Sequence, residues 1–120
     1  MKIFNKIKDH FKKADFSVAP NKKLKTISKE FKDNFGVSLV FYKGKKIAEP
    51  TLTLNQLNKK VSDKIITKDA SLKIKASMKV GDVEKLFKEN FGVTVQIKDK
   101  SATKLVPNEI TIGDASRENY

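Results

Sequence analysis

Leu24, Ile27, Phe31 and Phe35 fall at i, i+3, i+7 and i+11, one apolar stripe of an amphipathic helix. Val80, Val83, Phe87 and Phe91 repeat that stripe later in the chain. Gly36 and Gly92 follow at once, where a helix end calls for a left-handed residue without a Cβ penalty. Period-2 alternation marks the half-buried strands around these helices. Phe16-Ser17-Val18 and Leu72-Lys73-Ile74 precede them; Val37, Leu39 and Phe41 follow the first, alternating with Ser38, Val40 and Tyr42. Val93, Val95 and Ile97 follow the second. Tyr42-Lys43-Gly44-Lys45 reads as a hairpin turn. A short strand is expected near 45–48 and another near 102–106, stopped by Pro50 and Pro107, which lend no N–H to a ladder.

These elements occur twice. Phe31-Lys-Asp-Asn-Phe35-Gly36-Val37-Ser-Leu39 returns as Phe87-Lys-Glu-Asn-Phe91-Gly92-Val93-Thr-Val95, at an offset of 56. Downstream the offset is 58, pairing Ile47 with Leu105 and Leu54 with Ile112, so the second hairpin loop is two residues longer. The expected fold is α+β: a tandem βαββ repeat, one copy over 14–57 and the other over 70–115, in a single compact domain. Met1–Lys13 is expected to form an amphipathic helix, with Ile3, Phe4, Ile7 and Phe11 on one face and lysines opposite. A second helix is expected over 55–66, reaching into the connecting helix assigned to 58–69 between the copies, with a stripe of Leu54, Leu57, Val61 and Ile65. A short C-terminal counterpart begins at Ile112.

The chain has 120 residues, of which 38% are hydrophobic and 33% charged, enough to bury a core without staples. No window approaches the roughly 18 apolar residues of a membrane span, so an integral membrane protein is not expected. There is no cysteine, which rules out disulfides, thiolate metal sites and cysteine catalysis; with His10 as the one histidine, a histidine metal site or a Ser-His-Asp triad is not expected. A cytoplasmic protein is the simplest expectation. Gly81-Asp82 and Gly113-Asp114 read as helix starts, with the acid against the N-terminal dipole, and no phosphate-binding loop is present. Glu84 and Glu89 read as solvated partners of Lys85 and Lys88. No catalytic, metal or cofactor site is expected, and the chain is not expected to be an enzyme.

Charge adds one distinction. The net charge is +12, and 25 of the 26 cations are lysine, Arg117 being the exception. Arginine is the better reader of guanine edges and phosphate forks, so this make-up argues for a solvated surface more than a nucleic-acid site. Residues 1–60 hold 15 lysines against 5 acids; residues 61–120 hold 11 cations against 9 acids.

The run Phe16-Ser17-Val18-Ala19-Pro20-Asn21-Lys22-Lys23-Leu24-Lys25-Thr26-Ile27-Ser28-Lys29-Glu30-Phe31 resembles the second strand and helix of ubiquitin-like β-grasp domains. Leu39 to Ile47, followed by Thr53-Leu54-Asn55-Gln56-Leu57, resembles their next hairpin and short closing helix; Leu72 to Val83 and Val95 to Asp114 match more loosely. The copies show no counterpart of the first strand or the central closing strand of that family. The chain ends Arg117-Glu118-Asn119-Tyr120 rather than Gly-Gly, so a conjugated modifier is not expected. The resemblance implies an interaction scaffold presenting the outer face of its sheet, with Val40 at an apolar contact position.

The copies differ on that face: Val40 and Tyr42 stand where the second has Gln96 and Lys98. The leading expectation is therefore a non-enzymatic module that binds a protein partner, or a second copy of itself, through the first copy's sheet face and hairpin. The residues expected to carry it are Val40, Tyr42, Lys43, Lys45 and Lys46, with Ile3, Phe4, Ile7 and Phe11 as further apolar surface. The alternative is sequence-nonspecific nucleic-acid binding, with a base stacked on Tyr42 and lysines along the phosphates. A peripheral anionic membrane is the weaker fit, since four large apolar residues make a modest anchor.

Overall fold

In the computed structural model of this protein, residues 16–63, 66 and 71–118 are described. The expected helix over 1–13, with Ile3, Phe4, Ile7 and Phe11, lies outside them. The first apolar stripe is the buried face of a helix at Leu24–Phe35 (α1), and the second that of Val80–Phe91 (α3). Gly36 and Gly92 adopt φ of 71° and 67°, and their N–H groups bond Lys32 O and Lys88 O. The strands are Phe16–Val18 (β1), Ser38–Lys43 (β2), Lys46–Ile47 (β3), Leu72–Ile74 (β4) and Thr94–Lys98 (β5). Two shorter helices complete the α+β fold, Leu54–Val61 (α2) and Ile112–Ser116 (α4).

Neither long helix has a side-chain N-cap, and their first N–H groups find carbonyls elsewhere. Leu24 N and Lys25 N donate to Leu52 O and Pro50 O; in return Leu54 N and Asn55 N, opening α2, donate to Lys22 O and Pro20 O. Two loops thus satisfy each other's orphan helix donors. The same four bonds recur in the second half: Val80 N and Gly81 N to Ile110 O and Asn108 O, Ile112 N and Gly113 N to Met78 O and Ala76 O. Thr53 and Gln56 add a reciprocal capping box to α2.

All strand pairs are antiparallel. In β1–β4 Ser17 faces Lys73, and in β2–β5 Val40 faces Gln96. Each of these residues faces the position 56 further along the chain. At these pairs the two registers thus share one offset along the chain. β3 adds to the far edge of β2, giving the order β3-β2-β5. Inward residues Leu39, Phe41, Val95 and Ile97 are buried, with α1 lying on β2 and α3 on β5. A single buried cluster contains residues of both halves. The Phe41 ring meets Phe87 edge-on at 5.7 Å, and buried Asn58 of α2 donates to Phe91 O at the end of α3.

Three expectations need correction. The strand expected near 102–106 is reduced to a single bridge, Lys98 to Leu105, with Val106 N bonding Ile97 O. The longer loop explains this, because the Asp99 carboxylate gathers the N–H groups of Thr103 and Lys104 and turns the chain away from the ladder. The helix expected over 55–66, and into the link at 58–69, stops sooner, ending at Val61 before an extended Ser62 whose N–H bonds Asn58 O. Glu84 does not serve as a solvated partner of Lys85: it is half-buried and accepts the backbone N–H of Ile97 at 2.9 Å.

Candidate interaction surface

The face of the three-stranded sheet turned away from the helices is set by strand alternation. Cross-strand partners share a face, so the pairings Ile47–Tyr42–Thr94, Val40–Gln96 and Ser38–Lys98–Leu105 place these residues together. Val40 and Tyr42 are half-buried there. The Lys98 ammonium lies 5.9 Å from the centre of the Tyr42 ring, within cation–π range.

Ile47 and Leu105 are the large apolar side chains left exposed among the described residues, at 66% and 59%. They occupy opposite edges of this face, three strand spacings of ~4.8 Å across and four residues of ~3.4 Å along, so on the order of 20 Å apart. The result is a strip apolar at both edges, with Tyr42, Val40, Gln96 and Lys98 between them. Sequence reading missed Ile47 and Leu105 as surface residues, although their outward phase, next to inward Ala48 and Val106, was the available signal.

The hairpin tip divides the remaining candidates. Lys43 and Lys46 pair with each other, one step out of phase with Tyr42–Ile47, so they project to the opposite side from the Tyr42 ring. Lys45 lies in the turn, and all three lysines are exposed. The structure thus brings Val40 and Tyr42 together and sets Lys43 and Lys46 apart from them.

Beside the sheet face, each half has a groove between its long helix and its strand. The first, about 400 Å³, has apolar walls from Leu24, Leu39, Ile47 and Pro50, with Lys25 and Ser28 as polar members. The second, about 350 Å³, is bounded by Glu84, Gln96, Leu105, Asn108 and Glu109. Ser28 and Glu84 occupy corresponding places, 56 residues apart, but act on the strand in opposite senses. Ser28 Oγ donates to Leu39 O at 2.8 Å, whereas Glu84 Oε2 accepts from Ile97 N. Burial pushes the Glu84 carboxyl above its ordinary value, and the Ile97 N–H partly offsets that rise. The Asp99 carboxyl shifts the other way, held down chiefly by the Thr103 N–H.

Among the described residues no group of three or more His, Cys, Asp or Glu side chains is placed to hold a metal ion. No helix there is long and apolar enough to cross a membrane. The chain matches no family model, no curated protein and no solved structure.

Proposed function

We propose that this protein is a non-enzymatic module that binds a protein partner through the outer sheet face and hairpin of its first half. The observation that carries this reading is the shared strip of Val40, Tyr42, Ile47 and Leu105, in which both strongly exposed large side chains stand on one sheet face. Single exposed apolar residues are ordinary, but several on one flat face offer a surface worth drying. The resemblance to ubiquitin-like domains supports the same reading, because those domains present the outer face of their sheet. A cytoplasmic setting belongs to the proposal, since a chain without cysteine has no need of an oxidising compartment.

Nucleic-acid binding through lysines is the rival reading, and the charge of residues 1–60 is what favours it. Against it, the Tyr42 ring is already engaged by Lys98, and Lys43 and Lys46 project to the other side. Affinity capture from the native host, repeated after nuclease treatment, compares the two. A partner retained after nuclease and lost with Val40→Ser/Tyr42→Ser supports protein binding. Loss on nuclease treatment, with the double variant binding normally, rejects it.

A further inference from the structure

We propose that the groove between α1 and β2 takes an extended acidic peptide, one carboxylate of which occupies the place that Glu84 fills in the second half. This goes beyond the outer-face reading, since it concerns a second surface of the first half. The template is internal to the molecule. Ile97 directs both its N–H, to Glu84, and its C=O, to Val106, away from β2. Antiparallel alternation then requires its partner Leu39, and Phe41 two residues on, to turn their own N–H and C=O groups away from β5. The carbonyls do so, Leu39 O accepting from Ser28 and Phe41 O from Ala48. The N–H groups of these two residues lie on the same side of the strand.

On that side the ladder ends with the bond from Ala48 N to Phe41 O. β3 is two residues long, and Pro50 beyond it has no N–H and gives its carbonyl to Lys25. Phe41 is the counterpart of Ile97, and Ser28 that of Glu84. The first half therefore offers the strand amide without the built-in carboxylate, beside apolar walls of Leu24, Ile47 and Pro50. An extended segment lying along the groove supplies the missing acceptor through an Asp or Glu side chain and lays an apolar neighbour against those walls. Charge selects the same occupant, because exposed Lys25 stands in the groove where the second half has Gly81. Lys25 repels a segment with the charge of residues 1–13, five lysines against Asp9, so the proposed occupant is an acidic segment of another chain.

The test is titration of the ¹⁵N-labelled full chain with an end-blocked pentapeptide, Ile-Glu-Val-Glu-Ile, and with its Gln counterpart. The proposal expects the Phe41 and Leu39 amide resonances to move with the acidic peptide and to move much less with the Gln form. Ser28→Glu, which installs the second half's own solution, should weaken binding at least about tenfold, as should Lys25→Glu. Tyr42→Ser/Leu105→Ser, on the outer face, should leave this binding unchanged. Equal response to both peptides, or full affinity in Ser28→Glu and Lys25→Glu, overturns the proposal. Shifts confined to the outer face and abolished by Tyr42→Ser/Leu105→Ser also overturn it, while leaving the protein-binding reading intact. Movement of Phe41 with protein concentration alone makes the occupant a second copy, and the acidic-peptide assignment is then wrong.

Discussion

Ile97 hands its backbone N–H to the carboxylate of Glu84 at 2.9 Å, so a side chain on α3 finishes an edge that the chain at 105–106 meets only through one bridge and the Val106 N–H. Removing that acceptor leaves a half-sealed donor without its partner. Glu84→Ala should therefore cost about 1–3 kcal/mol in urea unfolding, whereas Glu84→Gln keeps an acceptor and should cost much less.

The same carboxyl gives a pH signature. Its folded pKa is raised above the ordinary value of 4.5 by burial, so the folded state holds this proton more tightly than the unfolded chain does. Its contribution is full below that ordinary value and is lost as pH rises through the folded pKa. Melting temperatures of the natural protein relative to Glu84→Gln should thus fall across that window and stay level at neutral pH. A difference that grows with rising pH would contradict the burial of Glu84.

Asp99 predicts the opposite slope. Its carboxylate accepts from Thr103 N, Lys104 N, and the Thr103 and Ser101 hydroxyls, which holds its pKa down. Stability from this group is present above the ordinary aspartate value and is lost as pH falls through the lowered one. Asp99→Ala should lower the melting temperature at neutral pH, and the deficit should close in acid.

Asn58 ties the halves together through buried hydrogen bonding to Phe91 O, beside the Phe41–Phe87 ring contact. Asn58→Ala should cost about 1–3 kcal/mol, for a buried carbonyl loses its donor. Because the core cluster draws on both halves, hydrogen exchange in β1–β4 and in β2–β5 should accelerate together. Acceleration in one sheet alone would show that the halves open separately.

The helices were legible because a stripe such as Val80, Val83, Phe87 and Phe91 has one way to hide, and Gly92 marks its end. Strand alternation likewise placed Leu39 and Phe41 inward and Val40 and Tyr42 outward. Pairing was not legible: nothing local in Ser17 or Val40 says that Lys73 or Gln96 lies opposite. The reciprocal capping of 20–25 with 50–55 left no trace either, because it joins backbone to backbone and Lys23 carries no cap. Glu84 was misread since a helical wheel sets it beside lysines, and only the position of β5 reveals its partner. The surface role of Ile47 was hidden by its match with Leu105, which reads as shared core until the sheet shows both facing out.

The salt dependence of binding to the partner recovered after nuclease treatment tests the central claim most directly. Docking on the strip of Val40, Tyr42, Ile47 and Leu105 predicts a shallow plot of log affinity against log salt, and an affinity that falls when Ile47 and Leu105 are changed to Ser. A steep linear loss with salt, unaffected by those substitutions, would assign the contact to lysine–phosphate pairing and contradict the account.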